Sequence, residues 1–246
     1  MSTDYNQIAK QYVEAKQDPW RYMIEEPSFI GQIGDVTGLK VVDLACGSGH
    51  YTRKVMARGP ASMLGVDISE EQIKLARAEE QRQPLGIDYQ VADATAEGPQ
   101  LDYDLAMSAY LLPYTRTIDE LDAYCRGIAR HVKPGGRFVT ITTNNNIYHY
   151  PQDVYAEYGS KIELEDEAQI GAKIVFVFPS SDGEFRIENY YIPNEEYRAA
   201  LERAGFKDVQ LINPIIDESR LGEFAPGYWD TLLKHPLALV IDAVRA

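Results

Sequence analysis

The stretch VVDLACGSGHYT, Val41 to Thr52, leaves the chain little freedom. A short apolar run that ends in an acid, turns through two glycines and then takes up helical spacing is a strand–turn–helix unit. Such units belong in a sheet whose parallel strands are joined by crossing helices. The chain repeats the unit. MLGVDI, 63–68, is a second strand, and in the following SEEQIKLARAEEQR the pair Ser69 and Gln72 has the spacing of a capping box. Glu70 and Glu71 suit the positive start of that helix. IDYQVAD, 87–93, and YDLAMSAY, 103–110, supply a third and a fourth strand. Thr117 and Glu120 open another helix, whose Leu121, Tyr124 and Ile128 recur at helical spacing. Lys133-Pro134-Gly135-Gly136 stops it, and RFVTITT is a fifth strand. The predicted fold is α/β, with helices on both faces of a parallel sheet.

Three regions lie outside this alternation. Tyr5, Ile8, Ala9 and Tyr12 share one helical face, which predicts an N-terminal helix packed over the sheet. KIVFVF and FRIENYYI flank the turn PSSDGE and read as a hairpin inserted after the fifth strand. PNEEYRAALERAGF is a helix opened by Pro193 and closed near Gly205, and FKDVQLINPII and LALVIDAVRA are the last two strands. A single domain over 1–246 is expected: a helical cap at 1–35, a core at 36–143, a β-rich insertion at 144–192, and a C-terminal helix with strands at 193–246.

Composition removes several classes of function. A formal net charge of −14 argues against a nucleic-acid substrate, since phosphate binding rests on clustered Lys and Arg. No apolar run is long enough to span a bilayer, and the polar start MSTDYNQIAK has no signal-peptide core. Cys46 and Cys125 alone make neither a disulfide framework nor a zinc site. The expectation is a reduced, cytoplasmic protein, monomer or homodimer, acting on a small molecule.

In open α/β sheets ligands bind beyond the carboxyl ends of the strands, so the loop after the first strand is the place to look. Gly47 and Gly49 remove side chains where a ligand must approach backbone, and Asp67 follows Gly47 by 20 residues, the spacing of an acid that binds ribose hydroxyls. Two ligands compete for this pattern. A dinucleotide fingerprint wants a third glycine where Thr52 stands, and a first glycine where the chain has Ala45 and Cys46. Asp43 would repel a diphosphate but suits a cationic end, such as the ammonium and sulfonium of S-adenosylmethionine (SAM).

Taken together, Asp43-Leu44-Ala45-Cys46-Gly47-Ser48-Gly49, Gly65-Val66-Asp67-Ile68-Ser69, Asp93-Ala94 and His131-Val132-Lys133-Pro134-Gly135-Gly136 resemble the ordered motifs of class I SAM-dependent methyltransferases. The likeness covers 36–143 and extends more loosely into the C-terminal part. DLACGSGHYTRKVMARG, with a Tyr-rich segment before it, further resembles the small-molecule branch that contains the toxoflavin-pathway N-methyltransferase, implying secondary metabolism. The resemblance implies a Rossmann-like, seven-stranded, mostly parallel sheet and SAM as cofactor, with S-adenosylhomocysteine (SAH) as product. It implies that Ala45, Gly47 and Gly49 meet the methionine part and that Asp67 takes the ribose hydroxyls. Ile68 packs on adenine, Asp93 with Ala94 takes its amino group, and Ser108 lines the sulfonium end beside Ala109. Ala45 departs from the family's usual glycine.

For the acceptor, the position after the fourth strand reads SAYLLPYTRT, without the carboxylate a catechol-bound Mg²⁺ needs. The acidic run Glu163, Glu165, Asp166, Glu167 reads as a solvated face, and the Asn/Asp-Pro-Pro-aromatic motif of nucleic-acid amino-methyltransferases is missing. The expectation is metal-independent transfer to a ring nitrogen or oxygen of a flat heteroaromatic metabolite. Seventeen tyrosines support it, because a phenol ring stacks while its hydroxyl directs. Tyr5, Tyr12, Trp20, Tyr114, Tyr148 and Tyr191 are the expected substrate contacts. Tyr110 is the expected acceptor-facing catalytic residue and His149 the expected base, since imidazole titrates near neutrality. His50 is expected to close over the cofactor, and Asn144 to Asn146 to orient the substrate. An NAD(P)-dependent oxidoreductase and a non-catalytic SAM-binding partner protein are the alternatives.

Overall fold

The computed structural model describes residues 18–246 apart from Glu97, Ser160, Asp166, Ser181 and Asp182. The N-terminal helix expected around Tyr5 and Tyr12 lies outside the described residues. The described chain begins with a π-helical turn, Arg21–Glu25, that runs straight into α1, Glu26–Ile33.

The alternating core follows. Strands β1 (Lys40–Leu44), β2 (Ser62–Asp67), β3 (Asp88–Val91), β4 (Tyr103–Ala109) and β5 (Val132–Thr143) pair in parallel. Helices α2 (His50–Met56), α3 (Glu70–Arg82) and α4 (Ile118–Ala129) cross between them. After a further helix α5 (Asn194–Arg203), β9 (Phe206–Ile212) and β10 (Ala238–Arg245) complete a seven-stranded sheet in the order β3-β2-β1-β4-β5-β10-β9. β10 runs antiparallel to both neighbours. The order reverses at β1 and β4, so the crevice for a ligand opens beyond their carboxyl ends.

Each face of the sheet is sealed by one helical layer. Leu121, Cys125 and Ile128 of α4 and Tyr197 and Leu201 of α5 pack with Phe138 on one side; Phe29 and Ile33 of α1, Val55 of α2 and Ile73 of α3 pack with Leu105 and Val139 on the other. All of these side chains are fully buried, each worth about 1.5–3 kcal/mol against exposure. Both predicted caps form: Ser69 Oγ accepts from the Gln72 amide and Thr117 Oγ1 from that of Glu120.

One expectation is corrected and another is extended. Lys133–Gly136 does not separate helix from strand; Val132 already pairs with Tyr103, and residues 133–136 bulge out before Arg137 resumes the ladder opposite Leu105. The Asp104 carboxylate meets Lys133 across this bulge. The expected hairpin forms, its two strands pairing antiparallel, and gains a third strand that was not expected. β6 (Lys161–Leu164), β7 (Lys173–Ser180) and β8 (Gly183–Tyr190) form a separate three-stranded antiparallel sheet. KIEL is short and half polar, so its strand character comes from pairing with β7 rather than from its own sequence. A last helix, α6 (Asp230–Lys234), brings Trp229 and Leu232 into a cluster with Trp20, Tyr155 and Tyr158 above the sheet edge.

Candidate functional site

The loop after β1 is drawn tight by the acid after β2. Gly47 N–H donates to Asp67 Oδ2 at 2.8 Å, and Ser69 N–H donates to Asp67 Oδ1 at 2.8 Å. Burial pushes the Asp67 carboxyl above its ordinary value, while the amides of Ser69 and Gly47 pull it down. Gly49 has φ +84°, and a Cβ there would lie 2.3 Å from the Tyr89 hydroxyl, so the position admits no side chain. Ala45 takes a left-handed φ of 61°, which costs a residue with a Cβ about 1–2 kcal/mol. Asp43 lies buried beneath the loop and accepts from Thr52 Oγ1 at 2.6 Å.

These residues border a groove of about 540 Å³ lined by Ala45, Gly47, Asp67, Ile68, Gln72, Asp93, Ala94, Thr95, Ala109, Tyr110, Leu111, Tyr114, Arg116, Glu120 and Tyr124. Ile68 is 73% exposed on its lip, so it is no core isoleucine but an apolar surface offered to the groove. Asp93 Oδ1 accepts from both the amide and the hydroxyl of Thr95, which shapes the far wall. Behind that wall His131 Nε2–H donates to the Ala94 carbonyl at 3.0 Å. Burial lowers His131 to about 4, and the Arg130 cation acts in the same direction, so the ring is neutral at physiological pH. A small cavity of about 30 Å³ continues the groove under the loop, bordered by Asp43, Ala45, Gly47, His50, Tyr51 and Ala109.

A second chamber of about 40 Å³ adjoins the groove, lined by Trp20, Arg21, Tyr110, Tyr114, Thr143, Phe176, Phe178, Ile187, Asn189 and Leu237. Tyr110 and Tyr114 border both spaces. Tyr110 sits directly after β4 with a left-handed φ of 62°, which turns it out of the strand and into the wall. Its hydroxyl donates to Glu25 Oε2 at 2.6 Å. Glu25, fully buried, also accepts from Arg21 Nη1 at 2.6 Å and from the Tyr51 hydroxyl. The Arg21 guanidinium in turn lies 4.7 Å from the Trp20 ring centre and 5.8 Å from that of Phe178.

The structure thus brings Asp43, Ala45, Gly47, Asp67, Ile68, Asp93 and Ala94 around one groove, and Trp20, Tyr110 and Tyr114 around the chamber. Gly49 stands behind the loop as the cap of α2. Other expectations are corrected. Ser108 points away, fully buried, with its hydroxyl on Thr140 Oγ1 at 2.7 Å; strand alternation gives the groove Ala109 instead. His149 is exposed on a 3₁₀ turn and borders none of these spaces. Tyr148 and Tyr191 pack edge to face on each other, ring centres 4.9 Å apart, with Tyr148 donating to the Lys173 carbonyl. Asn144 and Asn145 tie the end of β5 to Pro236, Ile192, Tyr197 and Asn194 rather than facing a substrate. Sequence reasoning missed Arg21, Glu25, Phe176, Phe178 and Arg116. For the first two a signal existed: opposite charges at i, i+4 around the apolar pair Met23-Ile24.

Comparison with known proteins agrees with the groove. Residues 41–136 match the family model described as a methyltransferase domain. The chain is 28% identical over 179 residues to N-demethylindolmycin N-methyltransferase of Streptomyces griseus, covering 70% of each chain. It is 37% identical over 116 residues to ubiquinone biosynthesis O-methyltransferase of Roseobacter denitrificans, covering 46% of this chain and 44% of that one. The chain thus spans less than half the length of that second relative. Among solved structures, a SAM-dependent methyltransferase of Mesorhizobium loti superposes with a TM-score of 0.64 at 24% identity, over 90% of this chain and 97% of that one. A complex called DhpI-SAM-HEP superposes with a TM-score of 0.63 at 19% identity, over 98% and 94%. These likenesses establish the fold. Among the described residues no three His, Cys, Asp or Glu side chains converge on a metal position, and no helix is long and apolar enough to cross a membrane.

Proposed function

Because the chain is a class I SAM-dependent methyltransferase, we propose that it methylates a ring nitrogen, or an oxygen, of a small flat heteroaromatic metabolite without a metal. The groove residues fit the cofactor. Asp67 accepts the ribose hydroxyls, Ile68 packs on adenine, Asp93 and Ala94 take its edge, and Asp43 faces the ammonium beneath the glycine loop. SAM supplies a methyl group already activated by a sulfonium, so the protein's task is to align, to exclude water and to take a proton where the acceptor has one to lose.

One observation carries the acceptor class: the chamber is lined mainly by aromatic and apolar side chains, shares Tyr110 and Tyr114 with the groove, and holds the planar Arg21 guanidinium 4.7 Å from the Trp20 ring centre and 5.8 Å from that of Phe178. At about 40 Å³ it has room for water rather than a ring, so a ring enters by shifting that guanidinium. Tyr110, whose hydroxyl donates to Glu25, is the group positioned to bond the acceptor, its oxygen taking the acceptor's proton as its own proton passes to the Glu25 carboxylate. The Streptomyces griseus relative is an N-methyltransferase, which favours nitrogen.

The test is transfer of radiolabelled methyl from SAM to a panel of heteroaromatic N–H and O–H compounds, with products assigned by NMR. Transfer to a flat ring that survives chelation supports the proposal. Transfer only to aliphatic amines, or only with added Mg²⁺, overturns it. SAH binding with no transfer to any panel member would favour the non-catalytic alternative.

A further inference from the structure

Glu25 borders neither the groove nor the chamber, nor the small cavity under the loop, yet its donors Arg21, Tyr51 and Tyr110 each border one or more of them. Arg21 lines the chamber, Tyr51 lines the cavity beside Asp43, and Tyr110 stands in the wall between chamber and groove. Side chains from the π-helical turn, from α2 and from the end of β4 converge on this one carboxylate, which has no exposed surface. Stability gives no reason for it, since replacing a buried ion pair with packed apolar groups is commonly neutral or favourable.

We propose that Glu25 is a positioning residue that makes the site prefer a positively charged sulfonium over the neutral sulfide product, acting through the Tyr51 and Tyr110 hydroxyls. The inference rests on the SAM reading of the groove. A phenol that donates to a carboxylate gains negative charge on its own oxygen, because hydrogen bonds in series polarise one another. Such an oxygen is a better acceptor for the positively polarised hydrogens of a sulfonium methyl. Asp43 faces the ammonium, which substrate and product share, whereas the Tyr51 and Tyr110 hydroxyls are the groups that Glu25 polarises. Arg21 pairs with the Glu25 carboxylate at 2.6 Å, and the Asp18 carboxylate is a further charge close enough to couple to it. Tyr51 is suited to remain the donor: burial pushes its hydroxyl well above the ordinary value, and the Glu25 carboxylate acts in the same direction.

The experiment needs no acceptor. SAM, its amine analogue sinefungin, and SAH are titrated calorimetrically into the wild type and into Glu25→Gln, Glu25→Asp, Tyr51→Phe and Tyr110→Phe, with melting curves to confirm folding. Glu25→Gln is expected to weaken SAM and sinefungin about tenfold while leaving SAH within about twofold. Glu25→Asp should keep the preference, and each phenylalanine variant should lose about threefold of it. If Glu25→Gln weakens all three ligands alike, or none, Glu25 is a structural brace and the inference is overturned. If Glu25→Gln does not fold, unchanged preference in both phenylalanine variants overturns it equally. A wild type that binds none of the three overturns the SAM reading itself, and this inference with it.

Discussion

All lining residues of the groove come from the span 45–124, whereas the chamber draws its walls from Trp20 through Leu237. The groove is a property of consecutive strand-end loops: each loop leaves the sheet at the same edge, so motifs adjacent in sequence become neighbours in space. The chamber is assembled from the π-helical turn, the end of β4, the separate sheet β7–β8 and the approach to β10. One space is nearly a local feature of the chain and the other is wholly tertiary. The difference explains why one can be read from sequence and the other cannot.

Variants should separate the two spaces. Asp67→Ala is expected to have the largest effect. In the proposed reading it removes the partner of two ribose hydroxyls, at about 1.5–3 kcal/mol per bond to a charged group, and it frees the Gly47 amide. Calorimetry should register a loss of SAH affinity of about 100-fold to 10,000-fold. An unchanged affinity would mean that the groove is misassigned. Acid should act next, and also on the groove side. His131 has a folded value of about 4 against an ordinary 6.5, so its contribution to stability is complete above 6.5 and is lost as pH falls toward 4. Chemical denaturation across that window should show the decline in the wild type and a flatter profile in His131→Gln.

Ala45→Gly should stabilise the chain by about 1 kcal/mol, since glycine accepts the left-handed backbone without strain. A lower melting temperature would show that the alanine methyl packs more favourably than its backbone conformation costs. The smallest effect belongs to His149→Ala, which should leave methyl transfer and its pH profile unchanged. A lost acidic limb in that profile would return the imidazole to the chemistry and break the division between chamber and surface.

The same division marks what was legible. The sheet, both capped helices and the glycine loop follow from local patterns, because capping, turning and alternation are decided by neighbours a few residues apart. Asp67 and Asp93 both line the groove, the first expected from its interval after Gly47 and the second from the resemblance alone. Ser108 was misplaced by one residue of strand alternation, which is enough to reverse a side chain. His149, Tyr148 and Tyr191 were chosen for their chemistry in a segment whose course no local pattern sets. The structure spends these tyrosines on each other and on the Lys173 carbonyl. Glu25 was passed over because its partners Tyr51 and Tyr110 lie 26 and 85 residues away.

Tyr110 and Tyr114 line both groove and chamber, so in the proposed reading donor and acceptor rest against the same two side chains. Thermodynamic linkage then makes the traffic mutual: whatever factor a seated donor adds to the acceptor's affinity, the acceptor must return to the donor. A two-tyrosine partition can therefore set the sequence of arrivals and departures, holding the spent nucleoside while the methylated ring is in place and loosening it once the ring has gone.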